Sequence, residues 1–139
     1  MTAKAYLLQL TRLRHRIRWI KDEIDALRAE AESVRGIRYD KIRVQTSPDP
    51  DPLASYLARL EKEEQRLVAT MDKYIEIRVN IEQQLADFAP GMYADILYLR
   101  YAEGMTLQQI ADEMNYSYDY VRHAHGHALQ AFERKYLRS

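Results

Sequence analysis

The sequence predicts an all-α fold in which two long helices form an antiparallel hairpin and three short helices follow. The 139 residues include only 4 Gly and 4 Pro, too few turn residues for a protein built of β-strands. Apolar residues recur every three or four positions over long stretches, which is the helical period. A Pro-Gly pair at positions 90 and 91 separates these stretches from shorter ones, so we expect a second kind of domain after it.

The first long helix is predicted from about Ala3 to Arg35, because its apolar residues follow a 3.5-residue repeat typical of a coiled coil. The repeat consists of Leu10, Leu13, Ile17, Ile20, Ile24, Leu27, Ala31 and Val34. A helix of this length spans roughly 50 Å, too far to bury its apolar stripe against a small domain. It therefore needs a second long helix as a partner.

The second long helix begins near Leu53, after a connector of about residues 36–52 that ends in three closely spaced prolines. Its stripe consists of Leu53, Leu57, Leu60, Glu64, Leu67, Met71, Tyr74, Arg78, Ile81, Leu85 and Phe88. Two such helices predict a coiled-coil-like hairpin in residues 1–89 that also mediates oligomerisation. We expect Glu64 and Arg78 to extend to the edge of the stripe; pairing across an oligomer is the alternative.

The sequence pattern of residues 90–139 predicts a helix-turn-helix domain of three helices. Thr106 and Gln109 have the spacing of a capping box at the start of the middle helix, and Ser117 is placed to cap the last helix, which is predicted from 118 to 136. Gly104 is placed to end the first helix, predicted from 92 to 102.

Three residues between the last two helices have the spacing that a helix-turn-helix requires. Ala111 is small where two steeply crossing helices come closest, and Asn115, four residues on, tolerates the positive φ of the turn. Val121, six residues further, is the β-branched residue that packs the last helix onto the middle one. Together they make a specific pattern.

In this register, the segment from Leu99 to Leu129 resembles region 4 of sigma-70-type factors, which binds the −35 promoter element. The longer layout is similar to small phage and prophage transcriptional regulators of the ArpU and RinA kind, in which a charged helical part precedes the helix-turn-helix. The resemblance implies that double-stranded DNA is the ligand. It also allows contact with RNA polymerase, although no surface for that contact can be identified.

In the sigma family, residues early on the last helix face the major groove. The matching positions are Tyr118, Asp119, Arg122, His123 and His127, with Ser117 at the helix N-terminus. Arginine can bind guanine through two hydrogen bonds, aspartate can accept from cytosine, and the capped N-terminus can bind a phosphate. Tyr118 and Tyr120 depart from the basic residues usual in the family, so the affinity for DNA is expected to be modest.

His123 and His127 lie one helical turn apart, a spacing that can chelate a metal, whereas His125 points elsewhere. Two imidazoles without a third ligand make a weak metal site, so we expect them to face DNA or solvent. The sequence has no cysteine and no arrangement of catalytic residues. We therefore expect neither an enzyme nor a metal or other cofactor.

The charge of the chain is uneven although its net value is zero. Residues 1–43 carry a net charge of +5 and residues 91–139 a net charge of −1. Basic residues cluster on the first helix between Arg12 and Lys21, where they form a solvated face or, alternatively, an auxiliary phosphate-binding surface. The sequence lacks a signal peptide or membrane segment, so a cytoplasmic protein with no membrane partner is expected.

These observations favour a transcriptional regulator of phage or prophage origin, most simply a homodimer, that reads promoter DNA with its helix-turn-helix. Two alternatives stay open. One is a DNA-packaging protein similar to phage small terminase subunits, which combine a helix-turn-helix with helical oligomerisation segments. The other is a protein-protein docking module that has lost DNA binding, which the charge of −1 in residues 91–139 would suit.

Overall fold

The computed structural model describes residues 1–40 and 51–138, and in these ranges the chain is helical, without a β-strand. Its helices are α1 (Ala3–Asp40), α2 (Pro52–Ala86), α3 (Gly91–Leu97), α4 (Leu107–Met114) and α5 (Tyr118–Phe132). Short π-helical segments continue α3 (Tyr98–Ala102) and α5 (Glu133–Leu137). The predicted all-α fold is confirmed, with a long helical part before a helix-turn-helix domain. No helix in the described ranges is both long and apolar enough to cross a membrane.

Helix α1 continues through Gly36 to Asp40, beyond the predicted end near Arg35. A single glycine destabilises a helix by only about 1 kcal/mol, which is too little to end one of this length. The remainder of the predicted connector, residues 41–50, lies outside the described residues. Helix α2 begins at Pro52, where proline suits the first turn, and the Asp51 carboxylate accepts a hydrogen bond from the Leu53 amide at 3.1 Å.

The chain divides into two compact units, one formed by Met1–Arg14 with Lys73–Ser139 and the other by His15–Asp72. This division does not coincide with the predicted one at residue 90. The reason lies in the first unit, where the beginning of α1 and the end of α2 share a core with the short helices. Antiparallel placement of these two helix ends agrees with a hairpin.

Phe132, at the end of α5, lies at the centre of that shared core and is fully buried. Its ring contacts the rings of Phe88 at 5.6 Å and Tyr136 at 4.8 Å between centroids, and that of Tyr6 at 6.0 Å. The buried members of the cluster are Ala3, Leu7, Leu10, Ile81, Leu85, Phe88, Leu97, Tyr101, Ala102, Ala128 and Phe132. Helices α1 and α2 therefore complete the hydrophobic core beneath α5.

Two polar contacts also connect the beginning of α1 with the C-terminal helices. The amide of Ala3 donates to the Glu133 carboxylate at 2.8 Å, which satisfies one of the unpaired amides at the helix N-terminus. The Arg14 guanidinium donates to the carbonyl oxygen of Ala102 and lies against Gly104, which has a φ of +75°. A Cβ at Gly104 would lie 2.7 Å from Arg14 Nη2, so both the backbone and the space favour glycine there.

In the unit formed by His15–Asp72, α1 buries its apolar stripe more completely than α2 does. The buried α1 residues are Ile20, Ile24, Leu27 and Ala31. In α2, Leu57 and Met71 of the predicted stripe are exposed to 42% and 37%. The helices are joined by ion pairs, Arg28 with Glu64 at 3.2 Å and Arg59 with Glu23 at 3.6 Å.

The two charged residues in the predicted α2 stripe have partners within the chain. Glu64 forms the ion pair with Arg28, and both side chains are about half exposed. Arg78, in the other unit, donates to Glu82 at 2.8 Å and to the Tyr74 hydroxyl at 3.0 Å. These contacts agree with edge positions for both residues, whereas the coiled-coil register itself stays a prediction.

Candidate functional site

The turn between α4 and α5 is built by local hydrogen bonds that the sequence pattern predicts. The hydroxyl of Thr106 accepts from the Gln109 amide at 3.1 Å, and the Gln109 side chain accepts from the Thr106 amide at 2.9 Å, so the capping box is confirmed. Asn115 ends α4 in the left-handed conformation with φ 60° and ψ 40°. Ser117 then caps α5 by accepting from the Tyr120 amide at 3.1 Å.

The packing of α5 against α4 follows the predicted register. Ala111 and Val121 are both fully buried, and they belong to a second cluster that also contains Ile96, Ile110 and Ala124. A side chain larger than alanine at position 111 would force the two helices apart. This cluster fixes the direction in which the first turns of α5 project, which is the geometric requirement for a recognition helix.

All six predicted DNA-contacting residues are exposed at the surface of the domain. They are Ser117, Tyr118, Asp119, Arg122, His123 and His127. The Tyr118 residue is 43% exposed, and the side chains of Asp119 and Arg122 are 80% and 53% exposed. Their placement leaves them free to meet a ligand from outside, and their role in DNA binding stays a prediction.

Arg122 forms an ion pair with Asp119 at 3.7 Å across one turn of α5. An exposed pair of this kind contributes at most about 1 kcal/mol. A bidentate contact between arginine and guanine discriminates against other bases by about 1–3 kcal/mol. The ion pair therefore orients Arg122 without preventing it from turning to a base.

His123 has one ring nitrogen engaged within the helix, since its Nδ1 lies 2.8 Å from the carbonyl oxygen of Asp119. A carbonyl oxygen only accepts, so Nδ1 carries the hydrogen and Nε2 of the neutral ring is an acceptor. The amino groups of cytosine and adenine are the donors in the major groove that such a nitrogen could meet. The exposed His127 lies one turn further along α5.

No group of three His, Cys, Asp or Glu side chains that could hold a metal ion occurs in residues 1–40 and 51–138. His123 and His127 therefore have no third protein ligand within this part of the chain.

His125 is the one histidine of the run that lies inside the domain. It is half-buried, its Nε2 shares a hydrogen bond of 2.9 Å with the Tyr101 hydroxyl, and the two rings stack at 5.7 Å. Burial lowers the pKa of His125 below its ordinary value, and the charges of Arg100 and Lys4 lower it further. The sequence predicts that His125 points away from the DNA face but not that it is partly buried. The signal for its burial is its position four residues after Val121, on the inner face of α5.

We expect this histidine to make the stability of the protein depend on pH. Because its pKa in the folded state lies below the unfolded value near 6.5, the unfolded chain binds the proton more readily. The His125 contribution to the free energy of unfolding is therefore complete above about pH 6.5 and is lost as the pH falls through the folded-state pKa. Urea unfolding between pH 7.5 and 5 should show a smaller loss for His125→Phe than for the wild type.

The control is His123→Gln, which removes an exposed imidazole and should keep the pH dependence of the wild type. Both variants are compared with the wild type at the same ionic strength, so the titration of the carboxylates is common to all three proteins. Equal pH dependence for His125→Phe and the wild type would contradict the assignment.

Residues 94–132 match the family described as Sigma-70, region 4. The matched range runs from within α3 to the end of α5 and includes the capping box, the turn and the exposed first turns of α5. No curated protein and no solved structure matches the chain. The chain therefore carries a sigma-70 region 4-like helix-turn-helix, a DNA-binding domain of transcription regulation.

Proposed function

We propose that the protein is a sequence-specific transcriptional regulator of phage or prophage origin that reads promoter DNA with α5. The observation that carries this proposal is the exposed start of α5. Its position is fixed by the left-handed turn at Asn115 and by the buried cluster that contains Ala111 and Val121. The family match over residues 94–132 supports a DNA ligand. A cytoplasmic location and the absence of a catalytic role are parts of the same proposal.

The electrostatics of the domain suggest how such a regulator would bind. Residues 91–139 carry a net charge of −1, and Asp119 offsets the one arginine in the first turns of α5. Non-specific attraction to phosphates, which depends on basic residues, should be weak. Affinity would then come from base contacts and from binding two half-sites at once, because linked domains raise the effective concentration of the second one.

The test is to incubate the purified full chain with a pool of random duplexes and to sequence the fragments it retains. We expect a short enriched motif, repeated with two-fold symmetry if the protein binds as a dimer. The control is the Ala111→Glu variant, which places a charged side chain where α4 crosses α5 and should therefore enrich no motif. Recovery of the unselected pool by the wild type would contradict the proposal.

We expect the protein to form a homodimer through the His15–Asp72 unit, where apolar side chains remain exposed. Trp19 is 68% exposed and Val68 is 61% exposed, in addition to Leu57 and Met71. Light scattering at tens of micromolar should give about twice the chain mass of 16.5 kDa. Val68→Glu should shift the protein toward the monomer, whereas Ser55→Glu, which adds the same charge at an exposed position on another side of α2, should not.

The same measurement separates the regulator from the DNA-packaging alternative. An assembly of eight or more chains would favour a small terminase-like subunit. A monomer would contradict both the dimeric regulator and the larger terminase-like assembly. Contact with RNA polymerase is a further part of the regulator proposal, which a pull-down with purified polymerase and the full chain would test. A protein that binds polymerase but enriches no DNA motif would favour the docking-module alternative.

A further inference from the structure

The first residue of α5, Tyr118, presents an aromatic ring with no partner among the described residues. It follows the capping residue Ser117 and is 43% exposed, and its side chain makes no hydrogen bond, ion pair or ring contact with residues 1–40 or 51–138. An exposed aromatic ring at the start of a recognition helix lies where such helices contact base edges and phosphates.

The two neighbouring tyrosines are held differently. The rings of Tyr116 and Tyr120 contact each other at 4.8 Å between centroids, and the Tyr120 hydroxyl lies 3.4 Å from the sulfur of Met92. These contacts tie both side chains to the protein surface. The three tyrosines around the start of α5 are exposed to a similar extent, and Tyr118 is the one whose side chain would give up no hydrogen bond or ring contact with the described residues to reach a base edge.

The chemistry of the major groove offers one apolar feature that such a ring can contact. Each base pair presents hydrogen-bond donors and acceptors there, and thymine alone adds a methyl group, on C5. Charged and polar partners are already available from Asp119, Arg122 and His123. An uncharged aromatic ring beside them therefore favours thymine over cytosine, the other pyrimidine, which lacks the methyl group.

We propose that Tyr118 is a specificity-determining residue that recognises the C5-methyl group of a thymine in the bound DNA. This inference rests on the proposed function of α5 as a recognition helix. Tyr118 and Arg122 are four residues apart on one side of α5, about 6 Å along its axis. With a spacing of about 3.4 Å between base pairs, the thymine should lie within two base pairs of the guanine that Arg122 contacts.

The tyrosine hydroxyl could instead bind a phosphate, since tyrosine is among the side chains that contact the DNA backbone. The two possibilities involve different parts of the side chain. A methyl contact needs the ring and tolerates Tyr118→Phe, whereas a phosphate contact needs the hydroxyl and is lost in the same variant. They also differ on the DNA side, because a phosphate contact is indifferent to the methyl group of a base.

The experiment begins with the motif enriched from random duplexes by the full chain. Each thymine of the motif is replaced in turn by deoxyuridine, which removes only the methyl group, and the dissociation constants are compared. Loss of one buried methyl group should weaken binding about fourfold, which corresponds to about 0.8 kcal/mol. This loss of affinity should occur at one thymine per half-site. That thymine should lie near the base pair at which Arg122→Ala relaxes the sequence preference.

The variants assign the effect to the side chain. Tyr118→Phe should keep the fourfold difference between thymine and deoxyuridine, and Tyr118→Ser should bind both duplexes equally. Tyr116→Ser is the matched control, since it removes an exposed tyrosine next to α5 and should keep the difference. Thermal unfolding of each variant establishes that the domain is folded, which is expected because Tyr118 is exposed and belongs to neither hydrophobic cluster.

The possible results distinguish failure of this inference from failure of the proposed function on which it rests. If a motif is enriched but no deoxyuridine substitution weakens binding, or if Tyr118→Ser keeps the difference, Tyr118 does not read a methyl group and DNA recognition by α5 stands. Loss of affinity in Tyr118→Phe without any methyl dependence would assign the hydroxyl to a phosphate and overturn the inference. If no motif is enriched at all, the proposed function itself fails.

Discussion

Replacing Phe132 by alanine is expected to lower the free energy of unfolding by about 3–5 kcal/mol, the range for buried phenylalanine. Its ring is fully buried and lies between Tyr6 of α1, Phe88 in the short segment after α2, and Tyr136 in the segment after α5. The loss combines the removed apolar surface with a cavity that three separate segments would have to close. Urea denaturation followed by circular dichroism measures it.

The control for this prediction is Phe132→Leu, which keeps most of the buried volume and should cost substantially less than alanine. Because a domain typically has only about 5–15 kcal/mol of stability in all, Phe132→Ala should remove a large fraction of it and lower the urea concentration at the unfolding midpoint. A loss below about 1 kcal/mol would mean that the beginning of α1 and the end of α2 do not form a common core with α5.

Replacing Arg122 by alanine is expected to weaken binding to the selected DNA by about 5- to 150-fold, or about 1–3 kcal/mol, and to relax the preference at one base pair. The expected cause is the loss of two hydrogen bonds to guanine, which outweighs the exposed pair of Arg122 with Asp119. The measurement is the ratio of dissociation constants for the selected duplex and a scrambled one.

The DNA offers an independent check, because 7-deazaguanine at the preferred position removes the N7 acceptor and should affect the wild type but not Arg122→Ala. Arg18→Ala is the matched protein control, since it removes an exposed arginine from the basic stretch of α1. Arg14 is unsuitable as a control, because it donates to Ala102 and its loss would disturb the domain. If Arg122→Ala discriminates between the duplexes as the wild type does, Arg122 does not read a base.

The sequence predicts the local part of the candidate site well because its determinants are local. A small Ala111, a left-handed Asn115 and a buried Val121 obey steric rules that involve neighbours within ten residues. The capping box of Thr106 and Gln109 has the same character. These positions have the predicted conformations and burial.

Contacts between distant parts of the chain could not be predicted in this way. The hydrogen bond from Arg14 to Ala102 joins residues 88 positions apart, and that of Ala3 with Glu133 joins residues 130 apart. Helical periodicity shows which face of a helix is apolar but not which element covers it. The sequence-based boundary at residue 90 consequently separates residues that share one core, and the partnership of His125 with Tyr101 was missed for the same reason.

The long sequence separation within the core of Phe132 has a consequence for folding during synthesis. Ribosomes add about 5–20 residues per second, so Leu7 and Leu10 leave the ribosome several seconds before Phe132 is made. Until then these leucines, which are fully buried in the folded protein, lack part of their cover. Completing this core therefore requires contacts between segments that are made several seconds apart, and contacts of such high sequence separation form slowly.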